Sequence, residues 1–382
     1  MTFAATLTRY VARRFTTAAL AMLAGLTLLV CLFDFIELLR RAATRPEAGF
    51  ALVAQIAALR VPFVALQILP FAILLGGILA FWRLARSSEL VVARAAGISA
   101  WGFLSGPALV ALAAGALGTA AVSPLSSALL ARAERLDYAY LRATAGLTAL
   151  AGGRLWLRQA DRGLDPQGVA ILSGRPVVGP AAERGAAAAR APGMGFAMSD
   201  VSVWRLSSGD RPLARIEAPL ARLLPGRWVL EDATVFGADR TAGEAQTVTF
   251  PTELTPDRIE TSFASPDTLS IWALPGFIAV LEEAGFSAVR HRLHLQGLLA
   301  LPALAVAMAL LAAGFSMRTS RRGGVARTIL AGVSAGFALF VLDKITGEFG
   351  EAGSLPVALA AWAPTVAGLL LALSLLLHLE DG

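Results

Sequence analysis

Residues 295–315 read LQGLLALPALAVAMALLAAGF, a run without a single charged side chain. A helix needs about 20 apolar residues to cross a hydrocarbon core about 30 Å thick. Other runs that approach or meet this length occupy residues 16–33, 61–81, 101–122, 325–342 and 355–377. Prolines inside the later runs are tolerated where neighbouring helices satisfy the freed carbonyl groups. We therefore predict a bundle of six transmembrane helices.

The composition favours a membrane protein and argues against several other classes. Of 382 residues, 56% are hydrophobic and 16% are charged, and a mean hydropathy of +0.66 does not fit a soluble domain. The net charge is +6, but apolar runs separate the basic residues, so no nucleic-acid partner is expected. The single cysteine, Cys31, excludes an internal disulfide. With only three histidines, the chain is not expected to hold a zinc site or another metal centre.

The lysine content argues against ATP hydrolysis by this chain. A phosphate-binding P-loop needs Gly-Lys followed by Ser or Thr, because the lysine neutralises phosphates and the hydroxyl holds magnesium. Lys344 is the only lysine, and it lies between Asp343 and Ile345. We therefore expect no cofactor on this chain, and any ATP must be hydrolysed by a partner subunit.

Basic residues of the short loops predict the orientation, because Lys and Arg are retained on the cytoplasmic side. They precede span one and lie between spans two and three and between spans four and five: Arg9, Arg13, Arg14; Arg83, Arg86, Arg94; Arg318, Arg321, Arg322, Arg327. Both termini are then cytoplasmic. A cleavable signal peptide at span one is the less favoured alternative, because no small-residue cleavage site is evident.

The predicted topology divides the chain into three parts. Residues 1–124 contain spans one to three and a cytoplasmic loop at 83–100, residues 125–292 form an outer domain, and residues 293–382 contain spans four to six. The outer segment is rich in alternating β-prone stretches separated by Gly, Pro and Asp: 154–157, 168–172, 201–206, 227–236 and 247–250. We predict an all-β sandwich or jelly roll, either closed over its core or open as an apolar groove. A short interfacial helix is expected at 269–286.

Residues 332–336, GVSAG, match two different motifs. As G-x-S-x-G they would mark the nucleophile turn of a hydrolase. As G-x-x-x-G they allow close packing of membrane helices. Their position inside an apolar run favours packing, and no catalytic residue is predicted.

Residues 86–99, RSSELVVARAAGIS, form an amphipathic stretch in the cytoplasmic loop. Gly97 is suited to ending a helix there. The stretch is either a solvated connection whose arginines obey topology, or a coupling helix that fits a groove of a cytosolic motor subunit. In the second case Arg86, Glu89, Arg94 and Gly97 are the contact residues.

Arginines at the outer ends of the spans run against the topological bias. Arg40 and Arg41 follow span one, and Arg132, Arg135 and Arg142 follow span three. They either anchor helix ends by pairing with nearby carboxylates or bind phosphate, to which guanidinium groups form bidentate hydrogen bonds. The second alternative predicts a lipid that carries several phosphates.

The chain resembles the LptF/LptG (YjgP/YjgQ) family of lipopolysaccharide export permeases, nearly from end to end. The resemblance is carried by LTRY at 7–10, DFIELLRR at 34–41, SELVVARAAGIS at 88–99, LTPD at 254–257, PDTLS at 266–270 and LD at 342–343. The 34–41 and 342–343 segments, with the closing LEDG at 379–382, favour the LptG type over the LptF type.

This resemblance implies a function that the residue pattern alone does not predict. LptF-type and LptG-type permeases pair around a cavity open to the outer leaflet of the inner membrane of a Gram-negative bacterium. A cytosolic LptB ATPase dimer drives lipopolysaccharide out of this cavity. The outer jelly roll aligns with those of LptC and LptA to form a bridge for acyl chains.

The resemblance also implies roles for individual residues. Glu89 matches the acidic position of the coupling helix, and Arg40 and Arg41 match a basic pair that contacts lipopolysaccharide phosphates. Asp34 departs from the pattern, because some members carry a third basic residue there.

Two competing functions are considered. A membrane-anchored enzyme that modifies envelope lipids would need acid/base residues in the outer domain, which has no histidine before His291. A different ABC permease that transmits force without carrying lipid would lack a lipid-sized cavity. We expect a transporter permease and not an enzyme.

Overall fold

A computed structural model describes residues 2–43, 48–87, 100–141, 148–151, 154–161, 168–176, 196–207, 211–237, 241–252, 265–283, 287–316 and 325–380. The chain folds into two compact units. The first comprises Met1–Ala143, Pro266–Pro275 and Val289–Gly382, and the second comprises Thr144–Ser265 and Gly276–Ala288.

The first unit is helical. Its helices are α1 (Thr2–Ala42), α2 (Phe50–Arg86), α3 (Ala100–Leu117), α4 (Ser123–Tyr140), α6 (Val289–Ser316), α7 (Val325–Glu351) and α8 (Val357–Glu380), and α5 (Leu274–Glu283) begins in it. A π-turn, Gly118–Val122, joins α3 to α4 in one continuous apolar helix. Within the described residues, 6 helices are long and apolar enough to cross a membrane, which confirms the six predicted spans.

Helix α4 belongs to the first, helical unit, whose first segment runs to Ala143. Ala133 of α4 is fully buried in a cluster with Val53 and Ile56 of α2. Leu141, just after α4, joins the same cluster. Apolar burial against α2 therefore keeps this helix with the bundle.

The GVSAG motif packs helices, as predicted. It lies in the middle of α7, where a Cβ added to Gly332 would come within 2.7 Å of Ile78 Cδ1 on α2. A Cβ added to Gly336 would overlap the side chain of Leu74, also on α2. Glycine at these two positions lets α7 approach α2 closely.

The membrane helices differ in how much of their surface they bury within this chain. Helix α6 is central, with 56% of its most apolar window buried, whereas α1 buries 6% and α7 buries 22%. Large apolar side chains such as Phe33 on α1 and Phe337 on α7 are mostly exposed, at 65% and 62%. Helices α1 and α7 thus keep wide apolar faces that this chain does not cover.

The second unit contains one antiparallel sheet in its described part. Each strand pairs with the next in sequence, so the order is β1 to β7. The strands are β1 (Thr148–Ala151), β2 (Arg154–Ala160), β3 (Val169–Pro176), β4 (Phe196–Leu206), β5 (Pro212–Leu224), β6 (Arg227–Phe236) and β7 (Gln246–Pro251). The prediction of six membrane helices with an inserted all-β domain is confirmed, and the described strands follow an up-and-down order.

One face of the sheet is buried. The directly paired residues Leu157, Leu172, Val203 and Ile216 run across β2 to β5 and are each at most 2% exposed. Asp200 and Asp232 have positive φ angles of 56° and 51°, and they lie beside irregular positions in the β3–β4 and β6–β7 pairings respectively. Such bulges bend strands, which allows the sheet to fold over its own apolar face.

Gln159 joins strands that are far apart in the sheet. Its Oε1 accepts hydrogen bonds from Thr252 Oγ1 at 2.6 Å and from Trp228 Nε1 at 3.3 Å. Its Nε2 donates to the carbonyl of Pro251 at 3.3 Å. Strands β3 to β5 separate β2 from these partners in the sheet order. The sheet therefore closes on itself here, which decides between the closed and open forms left undecided by the sequence.

Candidate functional site

The C-terminal end of α1 carries a fork of one carboxylate and two guanidinium groups. Arg40 donates to Glu37 through Nε at 2.8 Å and through Nη2 at 2.9 Å. Arg41 donates to the same carboxylate through Nε at 3.0 Å. Glu37 lies three residues before Arg40 and four before Arg41, so a single turn of helix brings its carboxylate to both guanidinium groups. A guanidinium has five N–H groups, and Arg40 uses two of them on Glu37, so this side chain can also donate to an anion.

Both arginines are accessible. The Arg40 side chain is 78% exposed and the Arg41 side chain is 46% exposed. Glu37 partly neutralises the pair and fixes the direction of both side chains, leaving one net positive charge among the three residues. An exposed, preoriented pair of this kind is suited to bidentate contact with a phosphate.

A second ionic group includes Asp34, about one turn before Glu37 on α1, and joins three helices. Arg60 of α2 places Nη1 3.1 Å from Asp34 Oδ1 of α1 and Nη2 3.7 Å from Asp137 Oδ2 of α4. The side chain of Asp137 is 1% exposed and that of Arg60 is 18% exposed. Asp34 therefore serves an interhelix ion pair.

Sequence reasoning did not identify Arg60 as a site residue. It stands immediately before the apolar run 61–81, where a charged residue is expected at a helix end. Its partners lie 26 and 77 positions away in the chain, so spacing along one helix gave no signal. The one available indication was the unexplained acidic residue at position 34.

Helix α4 divides its side chains between two faces. Arg132 and Arg135 are exposed, whereas Ala133 and Asp137 are buried on the opposite side. Arg135 Nε lies 3.2 Å from the carbonyl of Ala131. The structure therefore keeps Arg132 and Arg135 available on one exposed face.

Other predicted site residues fall at different places. Arg86 ends α2, where its guanidinium stacks on Trp82 at 5.6 Å from the ring centroid. Arg142, Glu89, Arg94 and Gly97 lie outside the described residues.

The C-terminal half of α7 carries further exposed charges. Asp343, Lys344 and Glu348 are all exposed, and Lys344 Nζ lies 5.5 Å from the ring centroid of Phe340. The only lysine of the chain thus stacks on an aromatic ring of its own helix. Charged side chains on membrane-spanning helices normally face water or another protein and not lipid tails.

Comparisons with known proteins agree with this architecture. The family model described as "Lipopolysaccharide export system permease LptF/LptG" matches residues 9–378. The chain is 31% identical over 136 residues to the lipopolysaccharide export system permease protein LptG of Escherichia coli strain K12, covering 35% of this chain and 38% of that protein. It is 29% identical over 118 residues to the protein of the same name from Haemophilus influenzae, covering 31% and 33%. The aligned part spans about a third of the length of these curated relatives.

The family match extends over all six spans and the β unit between them, far beyond the segment aligned with any one relative. The chain therefore belongs to the LptF/LptG family of lipopolysaccharide export system permeases.

Proposed function

We propose that this chain is the LptG-type permease subunit of a transporter that extracts lipopolysaccharide from the outer leaflet of the inner membrane. The observation that carries the proposal is the Arg40–Glu37–Arg41 fork, exposed at the end of a span that this chain hardly covers. A phosphorylated lipid headgroup supplies the anion that such a fork binds. Arg132 and Arg135 provide two further exposed guanidinium groups on α4.

A second permease of the same fold, of the LptF type, is the proposed partner in the membrane. The exposed apolar faces of α1 and α7 are its proposed contact surfaces. Leu28 on α1 is 74% exposed and Leu330 on α7 is 65% exposed. The outer end of α1 is basic at Arg40 and Arg41, whereas that of α7 carries Asp343 and Glu348. Opposite charges on the two helices favour a pairing of α1 from one permease with α7 from the other.

The motor is proposed to be a separate LptB ATPase dimer. The only lysine is not in a Gly-Lys-Ser/Thr motif, so ATP must be hydrolysed elsewhere. The proposed docking element is the loop 86–99, in which Arg86, Glu89, Arg94 and Gly97 are the contact residues.

The positive-inside rule supports an orientation with both termini in the cytoplasm. The β unit is then periplasmic, and LptC and LptA are its proposed neighbours along the path of the lipid. The closed form of the sheet, joined through Gln159, suggests that the β unit must open before acyl chains can enter it.

The test is lipid mass spectrometry of the complex assembled from this chain, an LptF-type permease and LptB. We expect lipopolysaccharide to be enriched over glycerophospholipids relative to the bulk membrane. A six-span membrane protein of another family, purified from the same cells in the same detergent, is the control. Recovery of lipids in bulk proportions from both preparations would contradict the proposal.

A further inference from the structure

The π-turn Gly118–Val122 interrupts the third membrane span between α3 and α4. The N–H of Ser123 bonds to the carbonyl of Gly118, five residues earlier. Compared with an uninterrupted α-helix, a π-turn accommodates one extra residue, which rotates the following helix by about 100°. The turn therefore decides which side chains of α4 face α2.

Two prolines each leave one backbone carbonyl without its usual helical donor. A side chain from another segment donates to that carbonyl instead. In an α-helix the carbonyl of Leu298 would accept a hydrogen bond from residue 302, but Pro302 has no N–H. Thr119 Oγ1, inside the π-turn, donates to this carbonyl at 2.8 Å in a buried position. A Cβ added to Gly115 would lie 2.5 Å from Cα of Pro302, so the two backbones nearly touch one turn earlier.

The second freed carbonyl belongs to the π-turn itself. In an α-helix the carbonyl of Ala120 would accept from residue 124, which is Pro124. The ring of a proline also clashes with the carbonyl four residues earlier, and the wider π-turn relieves this clash. Trp272 Nε1 lies 3.4 Å from the carbonyl of Ala120 and donates to it.

The segment Pro266–Pro275 holds Trp272 in place. Ile271 and Leu274 are buried in a cluster with Leu298 of α6. Asp267 Oδ1 lies 3.2 Å from His294 Nδ1 on the same helix. This segment is fixed on both sides of Trp272. The indole N–H is therefore held in position to donate, although Trp272 is 72% exposed.

The register set by the turn matters for the charged residues of α4. With the π-turn in place, Ala133 and Asp137 face α2, and Asp137 reaches Arg60. Arg132 and Arg135 are then exposed. A rotation by about 100° would turn Asp137 away from Arg60 and redirect both arginines.

We propose that Thr119 and Trp272 are positioning residues that hold the π-turn and thereby aim Arg132 and Arg135 at the anionic lipid. The role of the two arginines rests on the proposed function, whereas the role of the turn does not. The expected consequence of losing the turn is a rotated α4, with Asp137 moved away from Arg60.

The test measures the rotation of α4 directly in the full assembled complex. Spin labels are attached at Gln55→Cys on α2 and Ala128→Cys on α4, both exposed positions, after Cys31→Ser removes the native thiol. The decisive variant is Thr119→Val with Pro124→Ala. It removes the hydroxyl that holds the π form and supplies the N–H that the α form needs. Proline is disfavoured against alanine by about a hundredfold inside a helix, so the α form should become the main one.

We expect the main distance between the labels to change by about 5 Å or more, as follows from a rotation near 100°. Pro107→Ala, which removes a proline from α3 outside the turn, and Thr119→Ser, which keeps the hydroxyl, should leave the distance unchanged. Trp272→Phe added to Pro124→Ala should shift part of the population in the same direction. An unchanged distance in the decisive variant would overturn the inference even if its melting temperature fell, because that result assigns Thr119 to stability alone.

A photo-crosslinker at position 129, tested for capture of lipopolysaccharide, separates this inference from the proposed function. If the distance between the labels shifts and capture of lipopolysaccharide falls, the inference about the π-turn and the proposed lipid contact of the arginines are both supported. If the distance shifts and capture stays the same, the turn positions α4 but the arginines do not bind the lipid.

Discussion

The Arg60 guanidinium of α2 lies 3.1 Å from the Asp34 carboxylate of α1. According to the family resemblance, some members carry a basic residue at the position of Asp34. Here the acidic side chain is neutralised from the neighbouring helix, and Asp137 of α4 shares the same arginine. The shared arginine thus ties α1, α2 and α4 together about one turn before the Arg40 and Arg41 fork of α1.

Replacing Arg60 should destabilise the bundle. Arg60→Leu removes this counter-charge from Asp137, which is 1% exposed, and losing one partner of a buried ion pair costs about 3 kcal/mol. The melting temperature of the purified complex should fall clearly. Arg215→Leu, which breaks an exposed pair with Glu217 in the β unit, is the matched control and should have little effect. Equal melting temperatures for the two variants would show that the Arg60 bridge does not stabilise the bundle.

The purified chain alone should hydrolyse no ATP. The expectation follows from the absence of Gly-Lys-Ser/Thr and from Lys344 being the only lysine. Phosphate release is measured with and without added LptB, and a catalytically inactive LptB controls for contaminating ATPases. Turnover by a preparation free of any ATPase subunit would contradict the assignment of the motor to a partner.

Glu89→Ala should weaken the association with the ATPase subunit. Removing one partner of a buried charge pair at an interface costs about 2 to 5 kcal/mol, and less at its rim. Co-purification of LptB and ATP-driven lipid release should both fall. Glu244→Ala, an exposed acidic residue of the β unit and thus on the other side of the membrane in the proposed orientation, is the control. Normal assembly and release by the Glu89 variant would rule out its coupling role.

Gln159→Leu should loosen the closed sheet. It removes the acceptor for Trp228 Nε1, and leaving a buried donor unpaired costs about 1 to 3 kcal/mol. It also removes the contacts with Pro251 and Thr252. Amide hydrogen exchange in β7 should accelerate, whereas Gln246→Leu at the exposed start of β7 should change it little. Unchanged exchange in the Gln159 variant would mean that other contacts close the sheet.

The sequence predicted features that depend on local composition or on residues close in the chain. Apolar runs predicted the six spans, and alternating stretches predicted most of the strands. The pairing of Glu37 with Arg40 and Arg41 is equally local, because these residues are three and four positions apart on one helix. It did not predict contacts between distant segments. Gln159 meets Thr252 across 93 positions, and Thr119 meets Leu298 across 179. A single sequence carries no periodicity that links such positions, so these contacts had to come from the structure.

The Arg40 and Arg41 fork gives the most direct test of the lipid site. Both side chains are exposed, and Arg40 uses only two of its five N–H groups on Glu37, so an incoming phosphate can add to the existing pair without breaking it. Arg40→Glu with Arg41→Glu replaces attraction by repulsion, and Glu37 then adds a third carboxylate at the same place. We expect photo-crosslinking of lipopolysaccharide to the assembled complex to fall at least about tenfold, since a charge-assisted contact changes affinity by that factor or more.

The matched control for this double variant is Arg13→Glu with Arg14→Glu, which reverses an adjacent pair of exposed arginines at the other end of the same helix. Basal ATPase activity of each complex, with LptB bound, reports on folding and assembly. Because the proposed cavity opens to the outer leaflet, charge reversal at the cytoplasmic end should leave lipid capture nearly unchanged. Undiminished crosslinking in the Arg40 and Arg41 variant would assign these arginines to the helix end and not to the substrate, and the proposed lipid site would then have to lie elsewhere on the exposed face of α1.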